Sequence, residues 1–359
     1  MIMTRPRVHV IYEYGNNSRP FSTSFIRLIR PLTHPWVHTH LDVTFGPGLS
    51  ERPTDLVILD RLWRPDVSME LVTDLVKRVR QRGARFLYSL DDNFFDLEVS
   101  ENRDYPPKGY LSIVTYLLSQ ADGVLTSTSS LRERLLEYNP HVQVIPNALD
   151  ERLLVGRYLA DSDQLGHLRK IVIGYMGTFT HDADLQMVLP ALQAVARRHP
   201  GQIEFQMIGV TGNKSMKKNL QDLPIRYVSQ RLEEYEYPLF MLWFTGHIRW
   251  DIAIAPLCDT PFTRCKSDIK FLDYSALSAA GIYSRVTAYE TSVRHMETGW
   301  LSESFPEAWE EALETLITNH KKRLQMAQDA MRYLYTERIL TYCAGNWPDA
   351  ITTTPLNLK

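Results

Sequence analysis

The sequence predicts an α/β protein built from two doubly wound domains. Three observations carry this. The chain has 359 residues, more than one hydrophobic core usually organises. Short apolar, β-branched runs alternate with helical patterns along its length, as expected of parallel sheets flanked by helices. The alternation is interrupted over Glu151 to Leu168, a polar stretch carrying Asp161 and Asp163, which places the domain boundary there. The reading is therefore an N-terminal domain over 1-160, a second domain over 161-335, and a C-terminal helix and tail over 336-359 that packs back on the first domain.

In the first half the strands are expected at Val8 to Tyr12, Leu56 to Leu59, Arg85 to Ser89, Gly123 to Thr126 and Val142 to Ile145. Helical patterns at Ser68 to Gln81 and Ser129 to Tyr138 separate them. The second series runs Ile171 to Met176, Ile203 to Ile208, Ile225 to Val228, Ile252 to Ala255 and a short Ile282 to Ser284, with a helix at Leu185 to Arg198. Pro190 within that helix kinks it or marks its first turn. Two helices, Pro306 to Thr318 and Lys321 to Tyr335, and a weaker pattern at Ile339 to Trp347, close the chain. Doubly wound sheets bind ligands beyond the C-terminal ends of their strands, so functional residues are expected just after strands, in a cleft that the two domains face.

Forty basic against 42 acidic side chains leave a formal charge of -2, without the positive excess that nucleic-acid binding requires. Arg5, Arg7, Arg19, Arg27 and Arg30 cluster in sequence, either as a solvated face or as a peripheral contact with the inner face of a membrane. Three cysteines, Cys258, Cys265 and Cys343, form no CxxC pair, which speaks against a disulfide framework or structural zinc and for a reducing compartment. Met1 to Val10 has no signal-peptide pattern and no segment is apolar enough to span a bilayer, so a cytoplasmic protein is expected.

The most informative stretch runs from Trp250 to Leu277. A buried strand ends near Pro256, a loop follows, and a helix opens at about Ser267. Ser267 suits the N-cap, Asp268 the positive end of the helix dipole, and Gly281 the helix end. Amides at such a helix start attract phosphate, and Lys266 and Lys270, one turn apart, add point charges beside Ile269. Asp273, a further turn along, can accept hydrogen bonds from ribose hydroxyls. A capped, solvated helix with a Lys270-Asp273 pair is the alternative that the residues alone leave open.

The segment Asp251 to Ala280, with Lys266-Ser267-Asp268-Ile269-Lys270-Phe271-Leu272-Asp273-Tyr274, resembles the donor-site signature of retaining glycosyltransferases of family 4, in a bacterial KSDIKFLEY-like branch. Ile173 to Leu185 resembles that family's glycine-containing loop, Val144 to Asp150 its segment leading into the hinge, and Ala288-Tyr289-Glu290 with Glu297 to Leu301 its closing turn. The resemblance implies the GT-B fold, two Rossmann-like domains with the donor domain C-terminal and the acceptor side N-terminal. It also implies a nucleotide-sugar donor, a hydroxyl-bearing acceptor (a glycan, lipid-linked intermediate or small metabolite), retention of anomeric configuration, and no metal or other cofactor.

The pattern departs from the family in places. Asp273 matches the second of two glutamates that flank the donor loop, whereas the first falls at Cys265. The arginine and lysine that clamp the diphosphate are missing, with Phe179 and Asp184 in that region. Lys266, Lys270 and Arg249 or Arg264 are then expected to compensate. Gly177 and Thr178 admit close backbone approach to the donor, and His181 is read either as a ligand or as the maker of a local loop hydrogen bond. In the first half, Asp91 and Asp92 follow a strand, and either one orients or deprotonates an acceptor hydroxyl or caps a turn. The aromatic run Phe240, Trp243 and Phe244 and the tyrosines Tyr235 and Tyr237 read as core.

The residues leave two rival functions open. A non-catalytic nucleotide-sugar-binding partner subunit is made plausible by Cys265 and the missing clamp. A nucleotide-sugar epimerase on the same fold needs acid and base groups around the sugar that the sequence does not clearly supply.

Overall fold

The computed structural model describes residues 5–15, 18–97, 106–155, 169–177, 181–209, 218–230 and 236–353. It divides into two compact units. One comprises Met1–Glu151, Cys265–Ser267 and Ile339–Lys359, and the other Arg152–Arg264 and Asp268–Arg338. The three residues Cys265–Ser267 thus belong with the first unit, although the sequence around them reads as part of the second domain.

The first unit holds a six-stranded parallel sheet in the order β2-β1-β3-β4-β5-β6. Its strands are β1 (Arg7–Ile11), β2 (Asp42–Gly46), β3 (Leu56–Asp60), β4 (Arg85–Ser89), β5 (Gly123–Thr126) and β6 (Val142–Val144). β3 and β5 are buried at every position, as continuous apolar runs in a doubly covered parallel sheet should be. β2 escapes a reading by pattern, because at the sheet edge only Val43 of its five residues is buried. One face is covered by α1 (Met69–Gln81) and α2 (Tyr110–Gln120), which pack Val72, Val76, Leu117 and Leu118 on Leu59, Phe86 and Tyr88. Ser68 caps α1 by accepting from the Leu71 N–H.

The other face is covered by the helical segment Ser22–Leu32, π-wound over Phe25–Ile29, and by the C-terminal helix Asn346–Thr353. Trp347 and Ile351 of that last helix share a core with Val8, Val10, Leu28 and Ile58. Arg27, on the π turn, is fully buried and donates to the Ile145 and Thr126 carbonyls and to Asn147 Oδ1. Arg30 pairs with Asp150 and Arg7 with Asp55. The five N-terminal arginines therefore do not form one surface patch, because two of them are spent on internal acceptors.

The second unit holds another six-stranded parallel sheet, in the order β12-β11-β10-β7-β8-β9. Its strands are β7 (Ile171–Met176), β8 (Ile203–Ile208), β9 (Ile225–Val228), β10 (Ile252–Ala255), β11 (Ala280–Ser284) and β12 (Trp300–Ser302). Its core joins Ile173, Phe205, Ile254 and Ile282 to α3 (Asp182–Arg198), Trp309 and Leu313 of α5 (Pro306–Thr318), and Met326. α3 begins one turn before its apolar pattern, and Pro190 lies in its interior rather than its first turn. Gly174 must be glycine, since a Cβ there would fall 1.7 Å from the Trp250 indole. The aromatic run forms a helix, Tyr237–His247, that buries Tyr237, Met241 and Phe244 and leaves Leu239 and Leu242 outward. Among the described residues no helix is long and apolar enough to cross a membrane.

Candidate functional site

Each sheet reverses its winding once. In the first, the chain moves outward from β1 to β2 and then resumes at β3 on the other side of β1; in the second, it moves from β7 through β8 to β9 and resumes at β10. The C-terminal ends of β7 and β10 are therefore where the second unit should hold a ligand. Tyr274 marks the place, because its buried hydroxyl accepts from the Met176 N–H and donates to the Ile254 carbonyl, tying the two strand ends together. Gly177 follows β7 directly, and a Cβ on it would lie 2.5 Å from the Tyr175 hydroxyl. Thr178 and Phe179 lie outside the described residues, as do Asn16 and Asn17 of the first-strand loop.

The helix α4 (Ile269–Ala276) starts one residue later than a Ser267 cap implies. Asp268, not Ser267, is its N-cap, and it makes no side-chain capping bond there. Both Asp268 carboxylate oxygens instead accept from Arg338, at 2.7 and 3.0 Å. Ser267 is drawn away because its hydroxyl accepts from Asn147 of the first unit. The helix ends at Leu277 and Ser278, the latter in the left-handed region at φ 54°, whereas Gly281 is a β11 residue. The turn thus uses a serine, three positions before the glycine that the sequence suggests as the helix end.

Lys270 extends its ammonium over the Tyr175 ring, 5.5 Å from the centroid, at the end of β7. Asp273, on the same helix, is 6% exposed, and its Oδ1 has no hydrogen-bond partner. Burial pushes its carboxyl up to about 7, against the pull of Lys270. A buried carboxylate oxygen without a donor is costly to leave unpaired.

His181 Nδ1 bonds Asp184 Oδ2 at 2.7 Å, and Asp184 Oδ1 accepts from the Cys258 N–H at 2.6 Å. Asp184 thereby joins the start of α3 to the loop after β10. Burial alone would raise its carboxyl, but the His181 and Cys258 bonds outweigh burial and hold it below the usual range. Burial and Asp184 push the Cys258 thiol up to about 11, which leaves it a thiol at neutral pH.

Two of the compensating cations are engaged elsewhere. Arg249 donates to the Gly246 and Ile248 carbonyls at the end of the helix Tyr237–His247, and Arg264 pairs with Asp259 at the surface. Cys265 packs in the hydrophobic core of the first unit, where Asn93 approaches its sulfur and Thr128 donates to its carbonyl. Lys266 Nζ reaches Asp92 Oδ1 at 3.4 Å. The pair of lysines expected side by side is thus divided, Lys266 with the first unit and Lys270 with the second.

The first unit concentrates charge beyond β1, β3 and β4. Asp92 and Asp91 lie just after β4, as their sequence position implied. Arg61 bridges Glu13, Asp91 and Asp92 at 3.1, 3.2 and 3.3 Å. Asp60 accepts from the Ser24 hydroxyl at 2.6 Å, and burial beside Glu13 pushes its carboxyl up to about 7. Arg61 adopts φ 44°, an uncommon conformation for a residue with a side chain. Sequence reasoning passed over Glu13, Asp60 and Arg61, although each directly ends or follows an expected strand. Among the described residues no three His, Cys, Asp or Glu side chains are grouped to hold a metal.

No protein-family model matches the chain, and no curated protein sequence does. Solved structures do. A sucrose-phosphate synthase from Thermosynechococcus elongatus aligns with TM-score 0.67 at 12% identity, covering 96% of this chain and 98% of that one. Anabaena Alr3699/HepE in complex with UDP-glucose aligns with TM-score 0.65 at 13% identity, covering 97% and 99%. A glycosyltransferase from Rickettsia africae ESF-5 aligns with TM-score 0.63 at 10% identity, covering 98% and 99%. The chain has the two-sheet, doubly wound GT-B architecture of these glycosyltransferases.

Proposed function

We propose that this chain is a glycosyltransferase that takes a sugar from a nucleotide-sugar donor, bound by its second unit, and passes it to a hydroxyl acceptor. The carrying observation is Asp273, a buried carboxylate with an oxygen left unpaired, one helical turn from Lys270 at the point where β7 and β10 part. Ribose offers two adjacent hydroxyl donors, which suit that carboxylate. Lys270 and the amides of the backbone at Gly177 and Ile269 are assigned to the diphosphate, where fixed positive charge stabilises the leaving nucleotide without reorganisation. His181 is assigned a positioning role through Asp184, and Asp92 of the first unit the acceptor hydroxyl. The donors bound by HepE in its solved complexes, UDP and UDP-glucose, make uridine the first base to try.

Retention of anomeric configuration and chemistry without a metal are part of the same reading, supported by the likeness of the Asp251 to Ala280 segment to family 4. A second reading, a partner subunit that binds the donor without turnover, draws support from Cys265, which lies in a hydrophobic core where the family has a glutamate. Calorimetry with UDP-, GDP-, dTDP- and ADP-sugars, on wild type and on Lys270→Ala, tests the donor site. Release of nucleoside diphosphate from the bound donor separates the two readings. A donor that binds and is never consumed, across a broad set of acceptors, favours the partner subunit; no binding by any donor rejects both.

A further inference from the structure

A doubly wound sheet binds its substrates beyond the C-terminal ends of its strands, yet the first unit also has a charged cavity at the opposite end. This cavity, of about 600 Å³, opens where β1, β3 and β4 begin, between Arg7, Asp55 and Arg85, the end of α1 at Arg82, and the loop carrying Glu51 and Arg52. Strands of five residues span roughly 16 Å, so a molecule held here lies a full strand length from Asp91 and Asp92.

The charges that line it do not balance. Arg7 and Asp55 satisfy one another, through the Arg7 N–H, Nε and Nη2 at 2.8, 3.0 and 2.6 Å. Glu51 meets Arg82 only at 3.9 Å with its side chain 90% exposed, and so loose and hydrated a pair offsets little charge. Arg52 forms no ion pair among the described residues. Arg85 is the half-buried member. Its Nη1 reaches the Thr352 carbonyl at a long 3.5 Å, while Asp122, whose field it feels, is engaged by Arg80 at 2.7 Å. Burial holds the Arg85 guanidinium below its ordinary value despite Asp122. Three guanidiniums, of Arg52, Arg82 and Arg85, are thus set against the single solvated carboxylate of Glu51, an excess of two positive charges.

The loop that carries Arg52 is held in place. Ser50 Oγ accepts from the Arg52 N–H at 3.0 Å, the Thr54 hydroxyl donates to the Arg52 carbonyl at 3.0 Å, and Arg82 donates to the Ser50 carbonyl. These bonds fix the backbone on both sides of Arg52 and tie it to the end of α1.

We propose that this cavity is a binding site for a phosphate monoester, with Arg52, Arg82 and Arg85 holding the phosphate. Guanidinium forks match phosphate oxygens bidentately, and a phosphate monoester carries about two negative charges at neutral pH, which balances the excess. The half-buried guanidinium gains most from such a partner, because water screens that pair least. A carboxylate monoanion leaves one positive charge uncompensated, so the cavity selects phosphate over acetate. The site is separate from the donor site and stands whether or not the chain transfers a sugar.

The test is calorimetry on the full chain at low salt, where exposed charges are least screened. Inorganic phosphate and glycerol 3-phosphate are the probes and acetate is the control, with excess UDP present to fill any diphosphate site. Both phosphates bind wild type, and acetate binds at least about tenfold more weakly. Arg52→Gln and Arg82→Gln each weaken the phosphates about fivefold or more, while Lys270→Ala changes them less than about twofold. Arg52 is exposed, so its variant keeps the wild-type melting temperature even where Arg85→Gln fails to fold. Sedimentation with phosphatidylcholine vesicles that contain phosphatidic acid then separates the sources of the phosphate. Retention that Arg52→Gln abolishes makes the ligand a lipid headgroup, and calorimetric binding without retention makes it a free metabolite; either sustains the site. No phosphate binding by wild type, undiminished binding by Arg52→Gln, or loss of binding in Lys270→Ala overturns it.

Discussion

Replacing Asp273 by asparagine removes the charge of a fully buried carboxyl while keeping its shape. The folded protein holds this carboxyl at about 7, against an ordinary 3.8, through burial that Lys270 only partly offsets. A carboxyl raised in the folded state contributes stability that is complete below its unfolded pKa and is lost as pH rises through the folded value. At about 1.4 kcal/mol per unit over roughly three units, wild type loses at most about 4 kcal/mol between pH 4 and 7 through this group. Asp273→Asn escapes that loss. Urea unfolding of both proteins, at half-unit steps from pH 4 to 8.5, should show the variant gaining on wild type up to pH 7 and a constant difference above it. UDP-glucose offers the complementary reading, because its diphosphate has no group titrating near neutrality. Its affinity for wild type should rise up to tenfold per pH unit below 7 and level above, with proton release detectable by calorimetry in two buffers. A stability difference that is flat from pH 4 to 7 would refute the burial argument. A pH-independent affinity would remove the ribose assignment.

Lys270→Ala should weaken UDP-glucose about tenfold, roughly 1.4 kcal/mol, with the melting temperature nearly unchanged, as read by calorimetry. Gly174→Ala should cost about 1–3 kcal/mol through overpacking against Trp250, seen in urea unfolding together with a shift in tryptophan emission. Arg27→Met strips a donor from two carbonyls and Asn147 and should cost about 3 kcal/mol or more; a change below 1 kcal/mol would mean that those acceptors find other partners.

Most of the fold was legible in the sequence because doubly covered parallel strands leave an unusually plain signal. Arg85–Ser89, Gly123–Thr126, Ile171–Met176, Ile203–Ile208 and Ile252–Ala255 form at the bounds that their apolar runs mark, and the exposed edge strand Ile225–Val228 also forms at its expected bounds. The strands that were missed, Asp42–Gly46 and Trp300–Ser302, end the sheets and are short or half exposed, so no long apolar run announces them. Sequence order also placed Asp91, Asp92 and Gly177 immediately after strands, since chain direction in a parallel sheet decides which end a residue occupies.

What sequence could not convey is which partner a polar side chain finds. Lys266 and Lys270 are four residues apart and look like one clamp, yet one sits beside Asp92 in the first unit and the other over Tyr175 in the second. Ser267 looks like a helix cap and serves as an acceptor for Asn147, 120 residues away. Arg27 and Arg30 look like surface charge and are spent on the interior. Glu13, Arg61 and Asp91 become a cluster only because β1, β3 and β4 are neighbours in the sheet. Hydrophobic periodicity is a local property that each segment carries by itself. Ion pairs, unpaired oxygens and shifted carboxyls arise between segments distant in the chain, and only the tertiary structure decides them.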